Sequence, residues 1–310
     1  METNKCIPKI AVLLSSYNGS RFIQTQIDSI LNQKDVFVTL FIRDDGSNDE
    51  RTLKLLDEYN ENPNIIVKKE RNIGLAKSFM NLVYEVGTEY DYYCFSDQDD
   101  IWLEYKLIKA IEKIKEKKIP TLYVSNQTLI DSNGNYLAKR HKKLLSTGYK
   151  QILCNNLFSG CTMVWNELLQ EILIQYKPSD ELLQKRIHDV WVGMVASVVG
   201  TIIYDDESYI LYRQHENNVV GVKKSKKLKE YIKKFKNSNL RNGRSILAKE
   251  IYLLLKDKIL DDSIKEELNY IGNYQESKKL KKKLLKDLTL YKYTGESKLE
   301  YKIKVRFNLF

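Results

Sequence analysis

Cysteines and long apolar runs are both scarce in this sequence, and each scarcity excludes a class of protein. The 310 residues include four cysteines, none of them in a Cys-x-x-Cys pair, so we expect buried, reduced thiols and no disulfide framework. No charged and then apolar leader opens the sequence, and we therefore expect a cytoplasmic protein. The longest nearly uncharged stretch, Val190 to Tyr204, is too short for a transmembrane helix and contains two glycines.

A dinucleotide-binding fingerprint is missing as well. The first apolar run is followed by Tyr17-Asn18-Gly19 instead of Gly-x-Gly-x-x-Gly, which argues against a dehydrogenase. The composition, with 43% apolar and 30% charged residues, is that of a globular protein. A chain of this length can form one large domain, or one domain with an appendage.

Charge is divided unevenly along the chain. Residues 1–222 hold 26 Lys and Arg against 30 Asp and Glu, whereas residues 223–310 hold 25 against 11. The composition also shifts near Lys223 to lysine, leucine and tyrosine with helical periodicity. We therefore predict a body over 1–222, with halves of about 1–102 and 103–222, and a basic, mainly helical C-terminal region over 223–310.

The first hundred residues alternate short β-branched or aromatic runs with amphipathic helical patterns. This alternation predicts an α/β fold of β-α units around a mainly parallel sheet, a nucleotide-binding type of architecture. Further strands at 121–125 and 201–204 bracket helices near 166–175 and 187–199. The first four strands are predicted at Ile10 to Leu14, Val36 to Arg43, Asn64 to Lys68 and Asp91 to Phe95, with helices near 20–32, 49–60 and 75–86.

Polar residues follow three of these strands, at 15–19, 44–47 and 96–100. Ligands of open parallel sheets bind beyond the carboxyl ends of the strands, so these segments should converge on one edge. Asp97, Asp99 and Asp100 would repel one another there unless a cation were present. Oxygen ligands suit Mg²⁺ or Mn²⁺. The alternative is a strand-to-helix turn in which an aspartate caps a helix that begins near Ile101.

The other two segments fit a nucleotide. Asp45 could accept the imide N–H of a uracil or thymine ring, while Asp44 could hold a ribose hydroxyl or brace the loop. Tyr17 offers a flat ring for base stacking, with Ser15 as a small polar neighbour. An ordinary turn and ordinary packing are the alternatives. Asp49 is predicted to cap the next helix.

Four segments of the sequence resemble the family 2 glycosyltransferases with the GT-A fold, especially their rhamnosyltransferase-like branch. The resemblance covers residues 8–222 and implies a Rossmann-like mixed sheet flanked by helices, with a nucleotide-sugar half before an acceptor half. It also implies an inverting, metal-dependent transfer from a nucleotide sugar to a polysaccharide or lipid-linked glycan. The segments are LLSSYNGSRFIQTQIDSIL, IRDDGSNDE, ERNIGLAKSFMNLV and YYCFSDQDDIWLEYKL.

The resemblance implies dTDP-rhamnose as the donor, with UDP-hexoses as the alternative. A non-catalytic nucleotide-binding scaffold at the membrane is the competing function. Asp97 and Asp99 form the implied Asp-x-Asp element, and Asp99 is the leading metal ligand. The residues implied to bind the nucleotide sugar are Ser15, Tyr17, Asn18, Asp44, Asp45, Arg71, Gly74, Lys77, Asp97 and Gln98, and those implied to bind Mn²⁺ or Mg²⁺ are Asp97, Asp99 and His215.

Three further motifs extend the resemblance. His215 lies in Tyr-Arg-Gln-His-Glu-Asn-Asn-Val-Val-Gly over 212–221, although a surface turn is the alternative for it. His188-Asp189-Val190-Trp191 resembles the motif of the catalytic base, which implies Asp189 as that base; a helix cap is the alternative. Ser159-Gly160-Cys161-Thr162 resembles an element of the sugar pocket. The residues implied on the acceptor side are Gly160, Cys161, Trp102, His188 and Trp191.

The basic C-terminal region carries two patterns. Apolar residues recur at i, i+3, i+4 and i+7 between Lys226 and Lys236, which predicts a basic amphipathic helix. Alternating apolar residues from Leu299 to Leu309 predict a strand. We expect this region to contact anionic membrane or a second copy, and place the protein at the inner face of the cell membrane. Packing on the body and a solvated face are alternatives, and without a recognisable module we expect no nucleic-acid binding.

Overall fold

The computed structural model describes residues 7–215 and 242–310. Its strands are β1 (Lys9–Ser16), β2 (Phe37–Asp45), β3 (Ile65–Glu70), β4 (Tyr92–Ser96), β5 (Ile101–Trp102), β6 (Thr121–Ile130), β7 (Tyr136–Lys139), β8 (Val164–Asn166) and β9 (Thr201–Arg213). Its α-helices are α1 (Ile23–Leu31), α2 (Glu50–Tyr59), α3 (Leu75–Glu85), α4 (Lys106–Ile114), α5 (Tyr149–Asn155), α6 (Glu167–Gln175), α7 (Asp180–Lys185), α8 (His188–Val199), α9 (Gly243–Leu255), α10 (Asp262–Gly272), α11 (Lys278–Lys286), α12 (Leu288–Tyr291) and α13 (Lys298–Arg306).

The chain divides into two compact units that each combine separate stretches of sequence. Among the described residues, the first unit comprises 7–145, 158–175 and 202–215, and the second comprises 146–157, 176–201 and 242–310. The second unit thus draws two short segments from earlier in the chain. The boundary expected at 222/223 stays a prediction.

One mixed sheet organises the first unit. Its strand order is β3-β2-β1-β4-β8-β6-β9-β5, with β7 paired to β6. The pairs β1–β2, β1–β4 and β2–β3 are parallel, whereas β4–β8, β6–β8 and β5–β9 are antiparallel. The four strands and three helices expected over the first hundred residues are all present, in β-α alternation.

The central strand β1 explains why this sheet forms. Its residues Ile10 to Leu14 are fully buried on both faces, as a continuous apolar run in a parallel sheet should be. Ile23 and Ile27, one helical turn apart in α1, join the same buried cluster. Burying each such side chain stabilises the fold by about 1.5–3 kcal/mol. The carboxyl end of β1 is therefore a firm base for the loop that follows it.

Asp49 caps α2, as predicted, because its carboxylate accepts the backbone N–H groups of Arg51 and Thr52. The helix considered near Ile101 is absent from the described chain, and α4 begins only at Lys106. Ile101 and Trp102 instead form β5 and pair with β9. The distant β9 supplies backbone partners that the local sequence does not reveal, so the capping alternative for the acidic loop was wrong.

In the second unit, two arginines join the carboxyl end of α5 to other segments. Arg186 donates to the carbonyl of Leu153 at 2.6 Å, and Arg244 donates to the carbonyl of Cys154 at 3.0 Å. Arg244 also pairs with Glu296 at 2.8 Å. These charge-assisted bonds satisfy carbonyls that a helix end leaves without partners.

The C-terminal strand was predicted wrongly, because 298–306 form the helix α13. Ser297 caps it by accepting the N–H of Glu300, within the Ser-x-x-Glu spacing of a capping box. Tyr301 and Val305, four residues apart, are buried on one helical face. The alternating apolar residues that suggested a strand thus include a pair at helical spacing. The N-terminal cap at Ser297 favours the helix over the strand. The helix expected over 226–236 lies outside the described residues.

Two expectations concern the chain as a whole. Cys94, Cys154 and Cys161 are buried and unbonded to one another, in agreement with the expected reduced thiols, whereas Cys6 lies outside the described residues. Among residues 7–215 and 242–310, every helix is too short or too polar to cross a bilayer.

Candidate functional site

The loops that follow β1, β2 and β4 meet at one edge of the sheet. The backbone of Tyr17 and the side-chain amide of Gln98 exchange two hydrogen bonds of 3.0 Å each. Asn18 donates its N–H to the hydroxyl of Ser47 at 2.8 Å, and its side-chain oxygen accepts the N–H of Asn48. The convergence expected for these loops is therefore present. Tyr17 is 47% exposed.

Asp44 braces its own loop. Its carboxylate accepts both the backbone N–H and the hydroxyl of Ser47, so it closes a tight turn. Gly46 lies within this turn with φ of +77°. A Cβ atom on Gly46 would lie 2.7 Å from the backbone nitrogen of Asn72. The turn therefore needs glycine both for its conformation and for the approach of the loop after β3.

We expect Gly46→Ala to weaken nucleotide binding and to lower the melting temperature. The left-handed φ alone costs on the order of 1 kcal/mol, and the clash with Asn72 adds to it. Gly134→Ala is the matched control, because Gly134 has φ of +90° but no atom within 4 Å of the added Cβ. Thermal melts and nucleotide titrations of both variants measure the difference. Equal losses in the two would mean that the close approach at Gly46 has no importance.

Asp45 connects β2 to the loop after β3. Its Oδ1 accepts from the Arg43 guanidinium and from the N–H of Ile73, and its Oδ2 accepts the N–H of Gly74 at 2.9 Å. A carboxylate oxygen can accept two hydrogen bonds, so Oδ2 retains capacity for a further donor. Gly74 has φ of +87° and is the N-cap residue of α3.

Arg43 extends this arrangement inside the sheet edge. It is buried, and it donates to the carbonyl of Arg71 at 3.0 Å and to the hydroxyl of Ser78 at 3.3 Å. Ser78 in turn lies 2.6 Å from the hydroxyl of Ser15. The side chain of Arg71 is exposed, and that of Lys77 on α3 is partly buried. The structure therefore groups the expected donor residues of the first two loops with the segment 71–78.

The acidic loop 97–100 contains two different groups of ligand atoms. Asp99 Oδ2 lies 2.6 Å from His215 Nε2. Asp97, Asp100 and Cys161 form a second group, whose ligand atoms all lie within 4.8 Å of one another. His215, 116 residues from Asp99 in sequence, is thus brought directly to the Asp-x-Asp element.

Within the second group, Asp100 and Cys161 are buried, and burial disfavours the charged form of each side chain. Cys161 is fully buried; burial, and then the charges of Asp100 and Asp97, raises the pKa of its thiol well above its usual range. Burial, followed by the charges of Asp99 and Asp97, likewise raises the pKa of the Asp100 carboxyl. The expected ligand set of Asp97, Asp99 and His215 stays a prediction.

Arg213 is a residue that the sequence-based prediction missed. Its backbone N–H donates to Asp100 Oδ1 and its Nε donates to the carbonyl of Asp99, both at 3.0 Å. Its guanidinium also lies over the ring of Phe22, 4.6 Å from the centroid, and the same ring lies 5.2 Å from that of His215. Its position two residues before His215 could have suggested a place near the site. Its hydrogen-bond partners, however, follow from the pairing of β9 with β5, which the sequence does not reveal.

The expected acceptor residues of the first unit are buried. Gly160 and Cys161 begin a short 3-10 turn, and the amide of Gln127 donates to Cys161 Sγ at 3.2 Å. Trp102 is buried, with the amino group of Lys106 lying 3.7 Å from its ring centroid. Their acceptor role stays a prediction.

The remaining expected residues, His188, Asp189 and Trp191, belong to the second unit. All three are buried near the start of α8. Burial lowers the pKa of His188 to about 3, so its imidazole is neutral at physiological pH. The N-cap of α8 is Ile187, whereas Asp189 lies in the first turn, where the helix dipole favours a carboxylate. Asp189 is therefore not the capping residue.

Comparison with known proteins identifies glycosyltransferases both among domain families and among similar sequences. Residues 11–173 match the domain described as Glycosyl transferase family 2. The dTDP-rhamnosyl transferase RfbG of Shigella flexneri is 34% identical over 232 residues, which cover 70% of this chain and 76% of that protein. The UDP-Glc:alpha-D-GlcNAc-diphosphoundecaprenol beta-1,3-glucosyltransferase WfgD of Escherichia coli is 26% identical over 142 residues, 44% of this chain and 54% of that protein.

A solved structure shares the fold. The crystal structure of S. aureus TarS 1-349 in complex with UDP-GlcNAc superposes with a TM-score of 0.58 at 17% sequence identity. The match covers 92% of this chain and 78% of that one. The predicted fold class, a mixed sheet flanked by helices with a helical C-terminal region, is thereby confirmed.

Proposed function

Since this chain belongs to glycosyltransferase family 2 and is a glycosyltransferase, we propose that its donor is dTDP-rhamnose and its acceptor a polysaccharide or lipid-linked glycan. The similarity to RfbG supports this donor, and that to WfgD, over a smaller share of both chains, supports a UDP-hexose as the alternative. Such a transfer would serve the synthesis of cell-surface polysaccharide.

The observation that carries the proposal is the 2.6 Å pairing of Asp99 with His215, in the same acidic loop that contains Asp97. Two carboxylates and one imidazole match the ligands that Mn²⁺ accepts, and the carboxylates also suit Mg²⁺. These three residues would hold the ion. When bound, it would stabilise the negative charge that develops on the departing diphosphate.

The first two loops would bind the nucleotide. The exposed ring of Tyr17 is suited to stack on the base. Asp45 is held in place by backbone N–H groups, so its remaining acceptor capacity has a fixed direction for the imide N–H. Arg71, whose side chain is exposed, would supply positive charge to the phosphates or the ribose.

The transfer itself would be a single displacement. The acceptor oxygen forms a bond to the anomeric carbon as the bond from that carbon to the diphosphate oxygen breaks, which inverts the configuration. The acceptor hydroxyl must lose its proton in this step, and we assign Asp189 as the base that takes it.

The donor is tested by incubating the protein with dTDP-rhamnose or UDP-glucose and Mn²⁺, and measuring the nucleoside diphosphate released. We expect release of dTDP to exceed release of UDP. A larger release of UDP than of dTDP would indicate that the donor is a UDP-hexose. Binding of either nucleotide without release from either sugar, with or without a glycan acceptor, would favour the non-catalytic scaffold.

We also propose that the protein is peripheral to an anionic membrane, and the second unit supports a specific surface. Helices α11 and α13 are adjacent, because Tyr301 donates its hydroxyl to the carbonyl of Leu284 at 2.7 Å. We call the exposed surface of these two helices the basic face. It also includes the apolar residues Leu299 and Phe307, which are 69% and 70% exposed. The exposed cations of the basic face are Lys278, Lys279, Lys282, Lys286, Lys298, Lys302 and Arg306.

Reversing charge on the basic face should release the protein from vesicles. Each cation near an anionic surface contributes about 1 kcal/mol, so Lys282→Glu, Lys302→Glu and Arg306→Glu together should weaken binding at least on the order of 100-fold. Flotation with phosphatidylglycerol vesicles measures this. The control variant, Lys34→Glu, Lys117→Glu and Lys118→Glu, changes net charge equally on exposed positions of the first unit. A wild-type protein that fails to float would contradict membrane binding and leave the basic face as a solvated surface. A wild-type dimer that only the Lys282, Lys302 and Arg306 variant dissociates would show that the basic face serves self-association.

A further inference from the structure

Asp100 is the carboxylate of the acidic loop that the proposed metal set does not use. It is fully buried, and its Oδ1 accepts the backbone N–H of Arg213 at 3.0 Å. A buried carboxyl that bonds a main-chain N–H holds two segments in register, because releasing either group would leave it without a partner in the interior. Asp100 therefore ties the acidic loop to the end of β9.

The guanidinium of Arg213 ties the same segments a second time. Its Nε donates to the carbonyl of Asp99 at 3.0 Å, and its Nη1 donates to the carbonyl of Ser132 at 3.1 Å. The Arg213 side chain is buried, and the ring of Phe22 covers it. A planar, multiply donating cation can reach several carbonyls at once, which a lysine cannot do.

These two ties surround the pair formed by Asp99 and His215. Asp99 directly precedes Asp100, and His215 follows Arg213 by two positions. Each member of the pair is thus close to an anchored neighbour, and the Asp99 carbonyl is itself one of the anchors. The 2.6 Å approach of the Asp99 carboxylate to the His215 imidazole follows from this arrangement.

We propose that Asp100 and Arg213 are positioning residues, a strap that holds Asp99 and His215 together for the cation. The inference rests on the proposed function, because Asp99 and His215 matter here as the ligands assigned above. Residues that orient metal ligands from behind typically change metal affinity by 10- to 100-fold when replaced. The strap therefore has an effect on binding of the metal alone, before any sugar nucleotide is present.

Two readouts test the strap, one with metal and one without. Asp100→Val removes the acceptor and Asp100→Asn retains it, while Arg213→Met removes the guanidinium. We expect Asp100→Val and Arg213→Met to weaken binding of Mn²⁺ alone by at least about 10-fold, and Asp100→Asn to stay within about twofold of wild type. The second readout is the rate of His215 carbethoxylation in EDTA, followed by mass spectrometry. This rate should increase several-fold in Asp100→Val and Arg213→Met but not in Asp100→Asn. His141 supplies the internal control.

The outcomes separate the strap from the metal site. If the wild type binds no Mn²⁺, the proposed metal site fails, and the rate of His215 labelling still decides whether the strap exists. If folded Asp100→Val or Arg213→Met labels His215 and binds Mn²⁺ as the wild type does, the strap is overturned. Circular dichroism establishes that each variant is folded, and Arg213→Met decides the matter should Asp100→Val fail to fold.

Discussion

Replacing Asp189 with asparagine is expected to reduce sugar transfer by about 100- to 10,000-fold while nucleotide affinity stays nearly unchanged. The magnitude is that of a positioned general base, and asparagine keeps the size of aspartate but cannot accept the proton. The assay compares the turnover of donor in the presence of acceptor with the dissociation constant of dTDP. A loss of turnover with an unchanged dissociation constant indicates a catalytic base, whereas a raised dissociation constant indicates a residue that binds the donor.

Asp180→Asn is the matched control for this substitution. Asp180 lies in the first turn of α7, as Asp189 does in α8, but it is exposed. Both substitutions therefore remove a carboxylate that interacts favourably with a helix dipole. Comparable activity in the two variants would remove Asp189 from the mechanism.

Asp99→Asn is expected to act on binding. In Mn²⁺, the affinity for dTDP should fall at least about 100-fold, to the value that the wild type shows in EDTA, because the bound ion would offset the negative charge of the diphosphate. In EDTA the variant and the wild type should bind dTDP equally. Isothermal titration calorimetry measures all four affinities.

The control here is Asp57→Asn, because Asp57 is an exposed carboxylate on α2 that pairs with Lys69. Its affinity should match the wild type under both conditions. If the Asp99→Asn variant retained metal-dependent binding, Asp99 would not be a required ligand, and the ion would be held by Asp97 or Asp100 without it. Equal losses of nucleotide affinity in Asp99→Asn and Asp189→Asn would contradict the division of roles between them.

The fold of the first hundred residues could be predicted from sequence because its signals are local. The run Ile10 to Leu14 marks a strand buried on both faces, and the isoleucines of α1 recur at helical spacing. Once the sheet was expected to be parallel, the positions of Asp45 and Asp97 at its carboxyl edge followed from topology. Asp49 was predictable as a cap from its place before α2.

The features that were missed depend on partners far away in the sequence. Trp102 belongs to a strand because β9, more than a hundred residues later, pairs with it. Arg213 acquires its role only through that same pairing. The strand expected over 299–309 failed for a local reason, since its alternating residues include the pair Tyr301 and Val305 that a capped helix buries.

The most direct test of the account is a calorimetric titration of the protein with dTDP and with UDP, each in Mn²⁺ and in EDTA. We expect dTDP to bind in Mn²⁺ and EDTA to remove most of this affinity, because Asp97, Asp99 and His215 would hold the ion that the diphosphate needs. Affinity for either nucleotide that is the same in Mn²⁺ and in EDTA, or no binding of either nucleotide, would contradict the metal site at the centre of the proposal.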